Sequence, residues 1–470
     1  MKILLANPPG PWVRCRWDIK IRKDVMNYYP YPVRLAYATA VLKKNGYDAY
    51  MIDATASELS RRQFIDRFKK IKPDIVIWET VASSFEYDLK TMSMLRKINP
   101  KLIIVASGYH ATPAYKTCLK NGYNYVVIGE CDYSILDLIK YLNKEIKEFP
   151  KGVASKSHNP VPRSLIQNLD ELPWPERESL PMNRYNDPKL HGFNVVMVSS
   201  RGCPWGCSFC TSPVYYGKPN FRMRNPVSVV DEMICLWNKY KPDELYFDDD
   251  NFAVNEKHVR GICNEIIRRK LKIDWNCMID ATISDNILKL MKKSGCTGIT
   301  IGAESADPAV LKHMGKPITR EGIIRTVDTC RRLGLRSHVC WVLGLPYSTK
   351  ESDMQTVEFA INLPSDTLQF SICTPYVGTK MHHWCLENKY IESNVEWEKF
   401  TGNDKCVVNY PGYTSKEIEN IQRYALTLWH RKMLFKKPNI ILFHLYNTYK
   451  YQGMKGLFKV SMRGLKTVVK

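Results

Sequence analysis

Residues 195–210, VVMVSSRGCPWGCSFC, run from a strand candidate (195–200) straight into a loop that holds Cys203, Cys207 and Cys210. The spacing is Cys-x-x-x-Cys-x-x-Cys, too regular for three unrelated cysteines. Thiolates are soft ligands, suited to zinc, copper(I) or iron–sulfur clusters. Structural zinc is nearly always four-coordinate, and no second Cys or His pair of matching spacing follows. Three thiolates with an open fourth position fit a cubane cluster in which one iron is left for an exogenous ligand. A zinc-stabilised binding module is the alternative of another class, and iron and sulfide content separates the two.

Outward from this loop the chain alternates strands and helices. Further strand candidates lie at 244–250, 272–280, 298–305, 336–346 and 367–375, with helical segments between them. Six βα units with no sign of two more predict an open, incomplete relative of the eight-unit barrel. Polar residues stand where these strands end: Asp249, Asp250, Asp280, Glu304, Ser305 and Thr374. That carboxyl-terminal rim is where such barrels keep their chemistry.

Before residue 146 there is a second alternation, with β-rich runs at 2–6, 48–53, 74–79, 102–107 and 124–129. Helical periodicity between them predicts right-handed crossovers and a parallel sheet covered on both faces. The expected fold is therefore α/β throughout. A doubly wound, Rossmann-like domain of flavodoxin type (1–145) precedes a Pro-rich linker (146–190, with Pro173, Pro175 and Pro181), a partial (β/α)6 barrel (191–385) and a helical basic region (386–470).

Composition bounds the function. Of the 470 residues 44% are hydrophobic and 25% charged, which excludes a disordered or collagen-like chain. No apolar run reaches the roughly 18–20 residues of a membrane span, and no signal-peptide pattern opens the chain, so a cytoplasmic location is expected. Fifteen cysteines are too few for a disulfide scaffold of this length. The net charge of +22 is concentrated at the end, since residues 431–470 hold ten Lys and Arg and no acid.

The cysteine loop, its place after the first barrel strand and the preceding Arg201-Gly202 resemble the radical S-adenosylmethionine (SAM) superfamily. The resemblance implies a [4Fe-4S] cluster on Cys203, Cys207 and Cys210, with SAM chelating the fourth iron. Reductive cleavage of SAM would then yield a 5′-deoxyadenosyl radical that abstracts hydrogen from an unactivated carbon. It also assigns the rim: Asp249 and Asp250 to the SAM amino group, Glu304 and Ser305 to the ribose, Gly344 and Pro346 to the loop backing the adenine. Thr374 and Gly378, in TPYVGT, resemble the segment after the sixth strand.

In the amino-terminal domain SGYHATPAY (107–115) and IGE (128–130) resemble the glycine-rich and Gly-Glu loops of cobalamin-binding domains fused to such barrels. By that resemblance Gly108, Gly129 and Glu130 meet the corrinoid, with Ser83 and Thr112 bonding to its amides. One departure matters: Asp-x-His-x-x-Gly is absent after the first strand, where NPPGPWVRC stands instead. No histidine precedes His110, expected to be a solvated or hydrogen-bonded loop residue, so cobalamin is expected to bind without a histidine on cobalt. The domain's Cys15, Cys118 and Cys131 are too scattered for the second cluster of methylthiotransferases.

Along 454–470, Lys455, Lys459, Arg463, Lys466 and Lys470 share one helical face and Met454, Leu457, Phe458, Leu465, Val468 and Val469 another. Two expectations stand side by side: a peripheral contact with the inner face of a membrane, and a solvated helix docking on the barrel. Nucleic acid is not expected, because no aromatic platform interleaves with the charges. The resemblance as a whole implies a cobalamin-dependent radical SAM enzyme acting on a small molecule, with methyl transfer as the outcome. An external one-electron reductant of flavodoxin or ferredoxin type is implied. Oxidative cyclisation of a lipid or tetrapyrrole is the alternative with the same cofactors, and a zinc-stabilised basic nucleic-acid-binding protein the alternative of another class.

Overall fold

The computed structural model describes residues 1–10, 12–13, 21–22, 29–185, 192–392 and 395–436, with isolated positions beyond. The described residues fall into two compact units. One comprises Met1–Tyr185, Ser200–Ser228 and Pro375–Thr401; the other comprises the described parts of Asn186–Ser199, Val229–Thr374 and Gly402–Lys470.

In the first unit β1 (Ile3–Asn7), β2 (Ala49–Asp53), β3 (Ile75–Glu79), β4 (Ile103–Ser107) and β5 (Tyr125–Val127) pair in parallel. The order is β2-β1-β3-β4-β5, as expected of a flavodoxin-like sheet. These strands are near-continuous apolar runs because helices cover both faces. The helices start where local chemistry permits. At Arg61–Ile71 the Ser60 hydroxyl accepts from Gln63 N while the Gln63 side chain accepts from Ser60 N, a reciprocal cap that satisfies two orphan donors. Trp78 is fully buried in the core and donates its indole N–H to Tyr123 Oη at 2.9 Å.

The stretch expected as a linker does more than connect. Val153–Ser155 (β6) pairs antiparallel with β5 and becomes the sheet's sixth strand. Farther on, Lys43 meets Glu176 at 2.6 Å, and the Tyr185 hydroxyl donates to the buried Asp53 at 3.1 Å. Around Pro173 and Pro175 the chain forms neither strand nor helix, yet its side chains still anchor to the sheet domain.

In the second unit six parallel strands follow in strict chain order: β7 (Asn194–Met197), β8 (Glu244–Phe247), β9 (Trp275–Asp280), β10 (Cys296–Glu304), β11 (Arg336–Leu343) and β12 (Thr367–Ile372). The edge strands β7 and β12 do not pair with each other among the described residues, as an incomplete barrel requires. Register and burial divide the sheet into two unlike faces. Leu245, Phe247, Cys277, Ile279, Ile299, Ile301, Val339, Trp341, Phe370 and Ile372 form a buried apolar face. The opposite face carries Tyr246, Asn276, Thr300, His338, Gln369 and Ser371 instead. A sheet with apolar layers on both sides would bury two greasy faces; this one keeps a hydrogen-bonding surface where a barrel keeps its interior.

At the amino ends of the strands an ion pair joins buried Glu244 and half-buried Arg336, with Asn276 Nδ2 (2.8 Å) and Thr297 Oγ1 (2.9 Å) also donating to Glu244. Polar groups at this end belong to stability. The helix Ser415–Lys436 packs on the same unit, Gln422 Nε2 donating to Phe370 O at 2.8 Å. The amphipathic stretch 454–470 lies outside the described residues, apart from Met454. Among the described residues no helix is long and apolar enough to cross a membrane.

Candidate functional site

Open α/β sheets take ligands at the carboxyl ends of their strands, where the strand order reverses. Here that edge lies beyond β1 and β3, and the loops after β3, β4 and β5 carry Ser83, Gly108, Thr112, Gly129 and Glu130. Gly108 has φ +99°, a conformation that suits glycine alone. The Thr112 hydroxyl donates to Gly108 O (2.9 Å) and accepts from Gly129 N (3.1 Å), tying the loop after β4 to the loop after β5. Ser83 Oγ is buried with no hydrogen-bond partner in the structure. His110 is neither solvated nor bonded through Nε2, contrary to expectation. It is 97% buried, since its exposure is 3%, and burial lowers its pKa to about 4.

The cysteine loop belongs to the same unit and packs against this edge. A ribbon of Ser200–Arg201 and Arg222–Met223 closes its base. Gly202 (φ +86°) has no room for a side chain, since a Cβ would stand 2.6 Å from Asn220 O. Backbone bonds from Asn220 N to Cys203 O and from Cys210 N to Cys207 O, both 3.1 Å, shape the turn, and Ser212 N donates to Cys210 Sγ at 3.4 Å. All three cysteines are partly exposed thiols. Among the described residues no three His, Cys, Asp or Glu side chains are gathered as a metal would hold them. The donor set nonetheless suits iron: three accessible thiols on one turn, with no fourth protein ligand beside them among the described residues.

Ion pairs dock this loop. Arg201 reaches both oxygens of Asp132 (2.7 and 3.1 Å) and one of Glu130 (3.1 Å), while Arg222 takes the other Glu130 oxygen at 2.7 Å. Burial opposes the Arg201 charge, but Asp132 and Glu130 outweigh it and push its pKa well up. Beside them Arg34 pairs with Glu79 and lies over Tyr109, whose ring stacks on Tyr215 at 4.4 Å. Tyr215 O also explains Gly129: a Cβ there would sit 2.9 Å from it. The residues expected to meet a corrinoid thus divide. Glu130, Thr112 and Gly129 are engaged by the protein itself, whereas Ser83 carries an unused hydroxyl. Arg34, Glu79, Asp132 and Arg222 were not expected at all; their one signal was charge set in or beside apolar runs, as in DIVIWE (74–79).

The rim residues of the second unit are likewise mostly held in place. Asp249 accepts from Ser199 N (2.7 Å) and Ser199 Oγ (2.5 Å), and His258 Nε2 stands 3.2 Å from the same hydroxyl. Asp249 thereby fixes Ser199, just past the end of β7, and Asp250 beside it is partly buried. Glu304 adopts φ +64°, a strained conformation for an acid, of the kind that marks functional positions. Lys316 holds it at 2.6 Å and also donates to Gly302 O at 2.8 Å. Ser305 Oγ pairs with Thr356 Oγ1 at 3.2 Å. Thr374 Oγ1 accepts from Gly402 N at 3.0 Å. In the first unit, a Cβ on Gly378 (φ +82°) would stand 2.7 Å from Pro113 Cβ.

Gly344 (φ +71°) donates its N–H to Asp353 at 2.7 Å, Tyr413 Oη donates to the same oxygen at 2.7 Å, and buried Pro346 follows. Burial pushes the Asp353 carboxyl up to about 6 against those two bonds. An unfolded Asp titrates near roughly 3.9, so this group favours folding most below that pH and loses the contribution as pH rises through about 6. Asp353→Asn keeps one oxygen for both donors. It should flatten the fall in stability over roughly pH 4 to 7 and stabilise the protein at neutral pH by on the order of 1–2 kcal/mol. Melting temperatures across that range check this; parallel curves for both proteins would refute it.

Comparison with known proteins accords with this arrangement. Residues 197–360 match the model of the radical SAM superfamily and residues 19–139 that of the B12 binding domain. An uncharacterised methyltransferase of Pyrococcus horikoshii is 31% identical over 98% of both chains. The anaerobic magnesium-protoporphyrin IX monomethyl ester cyclase of Rubrivivax gelatinosus is 26% identical over 73% of this chain and 64% of its own length. Among solved structures, the radical SAM methyltransferase TsrM from Kitasatospora setae, with cobalamin and a [4Fe-4S] cluster bound, superposes with TM-score 0.67. Its identity is 18%, over 83% of this chain and 78% of that one, a likeness of fold. The chain belongs to the radical SAM superfamily, in the branch with an amino-terminal cobalamin-binding domain.

Proposed function

We propose that this enzyme methylates an unactivated carbon of a small molecule, using a [4Fe-4S] cluster, SAM and cobalamin. One observation carries the reading most: the three-cysteine loop and the carboxyl edge of the corrinoid-type sheet belong to one compact unit, joined by Arg201 and Arg222. Cofactors that share one methylation need such neighbouring seats. Bound together, they supply a methyl group in transferable form and a radical able to remove a substrate hydrogen. Cys203, Cys207 and Cys210 would hold the cluster. Asp250, Glu304, Ser305, Gly344 and Pro346 would line the SAM site, with Asp249 fixing the strand end and Lys316 fixing Glu304. Ser83 and Gly108 would face the corrinoid, and no histidine would reach cobalt.

The inner sheet face bears on the substrate. Tyr246, Thr300, Gln369 and Ser371 offer neutral donors and acceptors, which suits a hydrogen-bonding molecule better than a hydrocarbon lipid. The charge of +22 suits an acidic one-electron carrier as the reductant. A peripheral membrane contact rests on the basic pattern of 454–470 alone and is proposed only at that level, as is a cytoplasmic location.

Methylation and cyclisation differ in what SAM becomes. The test incubates the reconstituted enzyme anaerobically with methyl-deuterated SAM, reductant and a small-molecule cell extract. Methylation predicts S-adenosylhomocysteine and 5′-deoxyadenosine in equal amounts, with label in a new product. Substrate-dependent deoxyadenosine without S-adenosylhomocysteine would overturn it in favour of cyclisation.

A further inference from the structure

Past β12 the chain packs a short helix against the cysteine loop, and it sets there a charge used by nothing already described. Thr379 caps the helix Lys380–Glu387: its hydroxyl accepts from His382 N (3.1 Å) and donates to Tyr376 O (2.7 Å). Met381, 1% exposed, donates its backbone N–H to Ser208 O at 2.9 Å, between Cys207 and Cys210. One residue before the cap, a Cβ on Gly378 would stand 2.9 Å from Val214 Cγ1, so the two segments meet without a gap. These contacts bring the first helical residue, Lys380, to the loop. Its Nζ lies 3.9 Å from the position a Cβ would take on Gly206, the residue before Cys207.

The loop's two arginines are matched by acids, Arg201 and Arg222 facing Asp132 and Glu130. Lys380 is exposed and has no ion-pair partner among the described residues. A [4Fe-4S] cluster gains a negative charge on reduction, and net charge nearby is one of the factors that set its potential. A cation beside the loop therefore favours the reduced form. Water weakens the effect of an exposed ammonium, yet a contact this close lies well inside a Debye length of roughly 8–10 Å.

We infer that Lys380 sets the reduction potential of the cluster that Cys203, Cys207 and Cys210 hold, raising it toward the reach of a one-electron carrier. The inference rests on the cofactor reading above. One electron passes from the carrier, which is oxidised, to the cluster, which goes from the 2+ to the 1+ state. No bond is made or broken, and Lys380 keeps its proton. It acts through its field and not as a ligand.

The test is a redox titration of full-length, anaerobically reconstituted protein without SAM. Titanium(III) citrate is the reductant, and electron paramagnetic resonance of the reduced cluster is the readout. Lys380→Met should disfavour reduction about three- to tenfold, a midpoint about 28–59 mV lower at 59 mV per decade for a one-electron couple. Lys380→Arg keeps the charge and should stay near wild type, whereas Lys380→Glu should move about twice as far as Lys380→Met. Lys389→Met removes an equal charge nine residues on, roughly 13 Å farther along the helix direction and beyond a Debye length, and should match wild type. Failure of wild type to form a reducible cluster would remove the cofactor reading itself. A reducible cluster with one midpoint throughout the Lys380 series would overturn this inference alone; slower reduction of those variants by a flavodoxin would then make Lys380 a docking residue for the carrier. An equal shift in Lys389→Met would also overturn it, since net charge and not the place of Lys380 would then set the potential.

Discussion

Replacing Cys207 with Ala should abolish reductive formation of 5′-deoxyadenosine, and Cys203→Ala and Cys210→Ala should do the same. An outer-shell partner of a metal typically costs roughly 10–100-fold when lost; removing one of three thiolates from a cubane goes beyond that to no detectable product. The fold survives, because the ion pairs that dock the loop do not run through the thiol groups. Arg201 and Arg222 hold it to Asp132 and Glu130, and the cores of both units lie in their sheets. Iron content, the absorbance near 400 nm and deoxyadenosine yield should therefore fall together while the circular dichroism spectrum and melting temperature stay near wild type. A Cys207→Ala protein that still cleaves SAM reductively would end the cluster assignment.

Architecture was legible in the sequence because it rests on local patterns. The apolar runs and helical periods before residue 146 predicted the five parallel strands, and the six units from 195 onward predicted the open barrel. Val153–Ser155 escaped notice because a three-residue edge strand has no period to detect. Roles at the site were harder, for a reason that Glu130 illustrates. As part of a Gly-Glu loop it invites a ligand contact, yet its two oxygens go to Arg201 and Arg222, 71 and 92 positions away. No local pattern encodes such a pairing. Asp249 is similar, its oxygens both taken by Ser199, 50 residues earlier. His110 shows the opposite limit: a loop histidine reads as solvated until the fold places Phe85 and Trp397 against it.

Arg201→Met should produce the largest loss of stability, confined to the cysteine loop and the sheet edge beneath it. Among the described residues the guanidinium is the one ion-pair partner of Asp132, which is 2% exposed, and it shares Glu130 with Arg222. Removing one member of a buried pair leaves its partner charged and unpaired, at a cost of about 3–5 kcal/mol. The guanidinium carbon also lies 4.8 Å from the centre of the Tyr37 ring, a cation–π contact that Met gives up while filling much of the same volume, so the loss is electrostatic more than steric. Because the chain has two units, a single melting curve is a poor measure, and hydrogen exchange by mass spectrometry is the better one. Peptides covering 200–228 and 129–135 should exchange faster in Arg201→Met, while those of β9 to β11 stay protected. The double variant Arg201→Met/Asp132→Asn should recover part of the protection, since the stranded carboxylate is gone. If the arginine merely decorates the surface, Arg201→Met will exchange like wild type and load its cluster normally. If it docks the loop, cluster loading will fall in step with the lost protection and return in part with the second substitution.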